Sequence, residues 1–142
     1  MDIDDIKQRL GGVCYYRQRI DNDLERLQRL RSIAEKMTPT LTHVPAPTMG
    51  GGRENAIAAL VDLEEEIVEE ISATQDLEKE IRFYIDQLDN YQERLVMEMT
   101  YINCMKQEAI AQKMHYDVRT ISRLHRSAVE RIGWMMMSEK MS

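Results

Sequence analysis

All three prolines of this chain, Pro39, Pro45 and Pro47, fall in one short segment, together with Gly50, Gly51 and Gly52, three of its six glycines. Proline removes a backbone donor and clashes with the preceding helical turn, so helix interiors exclude it. The segment "TPTLTHVPAPTMGGGR", Thr38 to Arg53, therefore reads as a linker. The rest of the chain is free of the residue that stops a helix most forcefully.

Both flanks carry helical periodicity. Before the linker, apolar residues recur at Ile3, Ile6, Leu10, Val13, Ile20, Leu24, Leu27, Ala34 and Met37, mostly at steps of three and four. Gly11-Gly12 weakens this helix by about 1 kcal/mol per glycine against alanine. That predicts a short N-terminal helix and a longer one from about Val13. After the linker the stripe resumes at Ile57, Leu60, Leu63, Ile67, Ile71, Leu77, Ile81, Ile85 and Leu88. A helix of about 35 residues, roughly 50 Å long at 1.5 Å per residue, is expected there. Two long amphipathic helices cannot bury their stripes alone, so an antiparallel, coiled-coil-like hairpin that also forms homo-oligomers is expected. The predicted fold is all-α. Residues 1–88 form the helical hairpin, with the linker at 38–53, and residues 89–142 form a C-terminal helix-turn-helix domain.

Several function classes lack support in the residues. No window approaches eighteen consecutive apolar residues, which argues against a membrane-spanning helix, and the acidic, amphipathic start "MDIDDIKQRL" is not a secretory signal. Cys14 and Cys104 stand alone, outside any CxxC pattern, and read as free thiols of a cytoplasmic protein in a bacterial cell. His43, His115 and His125 have no partner at metal-ligand spacing. No phosphate-binding glycine loop or catalytic triad pattern stands out, so no enzyme, metal or cofactor is expected.

The net charge of −6 hides a partition. From Glu54 to Asn90 there are twelve acidic and two basic residues, whereas from Tyr91 to Ser142 eight basic face six acidic. Low overall charge therefore does not argue against nucleic acid, because the basic charge is local.

"DNYQERLVMEMTY", Asp89 to Tyr101, reads as a third helix. Ile110, Ala111 and Met114 form the inner face of a short helix that follows. His115-Tyr116 makes a turn, and Asp117 is placed to cap the next helix. Val118, Ile121, Leu124, Ala128, Val129 and Ile132 give that helix, residues 118–132, its inner stripe, and Gly133 stands where a C-terminal cap belongs. This is the form of a helix-turn-helix, whose second helix presents its outer N-terminal face to the DNA major groove. Arg119, Thr120, Ser122 and Arg123 lie on that face. Arginine can grip guanine edges bidentately, and hydroxyls can contact bases or phosphates. Arg126, Arg131 and Lys106, with Lys113, suit backbone phosphates. In the tail "WMMMSEKMS", Trp134 and one or two methionines are expected to fold back onto the helices.

The stretch "YINCMKQEAIAQKMHYDVRTISRLHRSAVERI" resembles region 4 of bacterial sigma factors, the module that reads promoter −35 elements. The matching residues are Tyr101, then Glu108 with Ile110-Ala111, then the run Thr120 to Ala128. The whole chain resembles phage and prophage sigma-70 region-4-like transcriptional regulators, in the style of the ArpU and RinA late-gene activators. Thr38-Pro39-Thr40-Leu41 and "VDLEEEI", Val61 to Ile67, fit that family. Two departures stand out: His115 occupies a turn position usually held by glycine, and Lys106 replaces a Ser/Thr cap.

The resemblance implies a sequence-specific regulator of phage or prophage genes that binds double-stranded DNA, with bacterial RNA polymerase as a further partner. Two other readings fit fewer features. One is a DNA-packaging recognition subunit of small-terminase type, which usually carries its DNA motif first rather than last. The other is an acidic coiled-coil adaptor that binds no DNA.

Overall fold

The computed structural model describes residues 2–41 and 52–141. The described residues are helical almost throughout. In chain order the elements are α1 (Ile3–Leu10), α2 (Gly12–Leu41), α3 (Gly52–Asp86), α4 (Tyr91–Met97), a π-helical turn (Glu98–Ile102), α5 (Gln107–Met114) and α6 (Val118–Met141). The chain divides into two compact units, one made of residues 1–15 and 74–142 and the other of residues 16–73. The long helices α2 and α3 contribute to both.

In the larger unit, α1 starts on a capping box. The Asp2 carboxylate accepts from the Asp5 backbone N–H at 2.9 Å, and Asp5 accepts from the Asp2 N–H at 3.4 Å. The double glycine breaks the helix as expected. It also allows close packing, since a Cβ on Gly12 would stand 2.5 Å from a Leu77 methyl. α4 is capped by Asn90, whose side chain accepts from the backbone of Gln92 and Glu93 at 2.8 and 3.1 Å. The expected third helix thus starts slightly later than Asp89. It ends in a wider turn, closed by the Asn103 N–H on the Glu98 carbonyl at 3.0 Å.

Two apolar cores hold this unit. The first joins Ile6, Leu10 and Val13 to Ile81, Ile85, Leu88, Met97 and Ile102, and to Ala128, Val129, Ile132 and Met136 of α6. The second packs Val96 and Met99 against Ile110 and Ala111 of α5 and Ile121 and Leu124 of α6. Both mix residues far apart in sequence, so burial rather than local propensity fixes where α5 and α6 lie.

α6 does not stop at Gly133. The helix continues to Met141, and Gly133 is buried in the contact with α1, where a Cβ would stand 2.3 Å from the Ile6 Cδ1 atom. The expected C-terminal cap is therefore a close-packing glycine. The tail folds back only in part, because Met136 is buried while Trp134 is 71 % exposed.

The smaller unit is an antiparallel pair formed by parts of α2 and α3. Leu27 packs on Leu63 and Ile67, with Leu30 and Leu60 alongside. Arg31–Glu64 at 3.2 Å and Arg19–Glu70 at 3.6 Å set the antiparallel register. Glu70 is buried, and burial, then the neighbouring Asp23, push its carboxyl pKa up. Four stripe or neighbouring residues of α3, namely Ile57, Val61, Val68 and Ile71, stay exposed, as does Leu24 of α2.

The expected linker, 38–53, overlaps the ends of both long helices. α2 runs to Leu41 and α3 starts at Gly52. Residues 42–51, the centre of the expected linker, lie outside the described residues.

Candidate nucleic-acid interface

Three residues join α5 to α6. His115 sits in the left-handed region at φ 60° and ψ 41°. Its N–H reaches the Gln112 carbonyl at 3.4 Å, and the Tyr116 N–H reaches the Ala111 carbonyl at 3.0 Å. These are the paired bonds of a Schellman motif, in which the left-handed position usually belongs to glycine. Asp117 then opens α6, its carboxylate facing the Arg119 N–H at 3.4 Å and its carbonyl accepting from Thr120 and Ile121. At the other end of α5, Lys106 has extended backbone at φ −79° and ψ 155° and makes no capping bond with its side chain. The Tyr116 hydroxyl and the Gln92 side chain are hydrogen-bonded, which ties the turn to α4.

Burial sorts the residues of α6. Ile121, Leu124, His125, Ala128, Val129 and Ile132 face the interior, while Arg119, Ser122, Arg123, Arg126 and Arg131 are exposed and Thr120 is half-buried. Arg119 and Arg123, one turn apart, pair with no carboxylate among the described residues; the same holds for Lys106. Arg126 lies 3.5 Å from Glu130 on the same helix, an exposed pair of little energetic weight.

Arg131, expected to contact phosphate, lies beside a buried carboxylate. Its guanidinium lies 3.7 Å from the carboxylate of Glu93, which is 3 % exposed, and the Ser127 hydroxyl donates to the other carboxylate oxygen at 2.7 Å. A buried carboxylate needs a countercharge and donors. The sequence counted Arg131 as one cation of a basic face because its partner sits 38 positions away on α4.

His125 is a packing residue. Its Nε2 lies 2.6 Å from the Tyr101 hydroxyl, with the rings stacked at a centroid distance of 5.5 Å. Burial, and then the positive charge of Lys7, push the His125 pKa down. Burial pushes the Tyr101 hydroxyl up to about 12. Both groups are thus neutral near pH 7, and the imidazole tautomer sets which of the two donates in the bond.

The free-thiol expectation is overturned. Cys14, at the start of α2, and Cys104, in the loop before α5, form a disulfide with Cα atoms 5.7 Å apart. Their separation of 90 residues left no local signal, and only the packing of the first core brings them together. Cys104 also has left-handed backbone at φ 58°. Among the described residues no cluster of three His, Cys, Asp or Glu could hold a metal, and no helix is long and apolar enough to cross a membrane.

These features define an all-helical protein in which a short helix and a tight three-residue connection precede a long helix with an arginine-bearing outer face. The chain belongs to the family described as "Protein of unknown function (DUF1492)", whose model matches residues 51–133, more than half of its length. The matched region runs from the start of α3 to the glycine of α6 that packs on α1. No curated protein and no solved structure matches the chain.

Proposed function

We propose that the protein is a sequence-specific DNA-binding transcriptional regulator of phage or prophage genes, and that α5, the His115 turn and α6 act as its helix-turn-helix. One observation carries the reading. Arg119 and Arg123 project from the first two turns of α6, just past the Asp117 cap, with no carboxylate partner among the described residues. An arginine pair so placed can enter a major groove and grip guanine edges. Thr120 and Ser122 flank them, and Lys106 and Arg126 suit phosphates on either side. The likeness of Thr120 to Ala128 to sigma region 4 supports the same assignment, and it names a promoter or operator as the target. The exposed stripe of α3 leaves room for RNA polymerase or a second chain on the hairpin.

The test is fluorescence anisotropy with duplexes from phage promoters. Arg119→Ala with Arg123→Ala should weaken binding by about 1–3 kcal/mol per lost bidentate contact. Lys106→Ala should lower the salt slope by about 0.9 without altering sequence preference. A double variant that binds every duplex as the wild type does refutes this reading face.

A further inference from the structure

Opposite its buried face, α6 carries one continuous solvent stripe. Arg119, Arg123, Arg126, Glu130, Trp134 and Met137 follow at steps of three and four and so share that side. The stripe changes character halfway. Its first half is cationic. Its second half borders a groove of about 630 Å³ between α1 and α6, whose lining includes Asp2, Asp4, Ile6, Glu130, Trp134 and Met137 and, among the described residues, no basic side chain. Trp134, the only tryptophan of the chain, leaves most of its indole in water at this acidic, apolar groove. Such a patch marks an interaction site more often than a bare surface.

We propose that the stripe is self-complementary and that its partner is a second copy of this chain. Two α6 helices pack antiparallel about a two-fold axis, so that each Arg119 lies over the partner's Trp134 and each Arg123 meets the partner's Glu130. Facing positions in an antiparallel pair keep a constant sum of residue numbers, and 119 with 134 and 123 with 130 share one sum; the same sum sets each Arg126 beside its symmetry mate at the axis, where Glu130 at 3.5 Å on its own helix offsets the like charges. A guanidinium over an indole gains a cation–π contact, and the Asp2 and Asp4 carboxylates deepen the attraction for the incoming arginine. The contact is isologous, so it closes as a dimer. It is a single helix pair, at the small end of specific interfaces, and is therefore weak and concentration-dependent. The arginines that the dimer engages are those assigned to DNA, so self-association and DNA binding compete. That last consequence rests on the DNA reading proposed above; the interface itself does not.

Sedimentation velocity of the full chain over a concentration series, with Trp134 emission read in parallel, tests the interface. The wild type should dimerise reversibly, with a blue shift of the indole as dimer forms and a return to monomer at high salt. Arg123→Glu alone and Glu130→Arg alone should each weaken dimerisation tenfold or more. The two together in one chain should restore it to within threefold, because the swapped charges face each other across the axis. A wild type that stays monomeric throughout overturns the proposal. So does association that neither reversal changes, as pairing through the α2–α3 hairpin would give. The two readings fail separately. Charge-dependent dimers with no affinity for promoter DNA would sink the DNA reading alone, whereas DNA binding by a strictly monomeric wild type would sink the dimer alone.

Discussion

Arg131→Met should unfold the protein more easily and leave DNA binding untouched. The Glu93 carboxylate is buried, and its defined partners are the Ser127 hydroxyl at 2.7 Å and the Arg131 guanidinium at 3.7 Å. Two limits bracket the loss. Exposed ion pairs are worth about 0.2–1 kcal/mol, and stripping the partner from a fully buried charge costs about 3–5 kcal/mol. Arg131 is itself 53 % exposed, so water screens its half of the pair. The expected destabilisation is therefore about 1–2 kcal/mol. Glu93→Gln keeps an acceptor for Ser127 and removes the buried charge, so Arg131→Met should cost far less in that background. Urea denaturation followed by circular dichroism, run as a double-mutant cycle, should give a coupling of about 1 kcal/mol. A coupling below about 0.3 kcal/mol would refute the structural role of Arg131. The salt slope of DNA binding supplies an independent check. It should be unchanged by Arg131→Met, whereas each phosphate-bound cation removed lowers it by about 0.9. A lowered slope for Arg131→Met would return the residue to the DNA face.

Three further outcomes follow from the packing. Cys14→Ser should lower stability by about 2–4 kcal/mol, since the disulfide closes a loop of 90 residues and constrains the unfolded chain; the variant and the wild type in dithiothreitol should give one urea midpoint, and two reactive thiols in the unreduced native protein would contradict the bond. Gly133→Ala adds about 1 kcal/mol of helix propensity but forces the buried Ile6 side chain to move, at about 1–3 kcal/mol. It should be neutral to destabilising in thermal melts, and Gly133→Leu clearly destabilising; a stabilised Gly133→Leu would refute the α1–α6 contact. His125 has a pKa held below its unfolded value, so the unfolded chain binds more protons in the window between the two. Its contribution to stability is fully present above the unfolded value of about 6.5 and is lost as pH falls through the folded one. Melting temperature should therefore drop from pH 7 to pH 5 by more in the wild type than in His125→Phe; equal drops would show that folding does not shift the titration of the ring.

Much of the architecture was legible because helices announce themselves locally. The Gly11-Gly12 break, the 35-residue span of α3, the Asp117 cap and the left-handed demand on His115 each depend on residues within a turn or two of one another. Which apolar residues would be buried was less legible. Leu24, Ile57 and Ile71 keep helical spacing yet stay exposed, because a stripe wider than the partner helix leaves its edge in water.

Local sequence was enough to read that the chain is helical, that it breaks at Gly11-Gly12 and after Met114, and that arginines line the outer face of α6. Periodicity, proline, glycine and capping residues act over a few positions, so no partner is needed to read them. Tertiary structure alone decided that Cys14 meets Cys104, that Arg131 serves the buried Glu93, that Gly133 is a contact with Ile6 rather than a cap, and that His125 lies inside on Tyr101. Each of these pairs is joined across 24 or more residues by the burial of a shared apolar core, and burial carries no mark of which distant residue it will bring near.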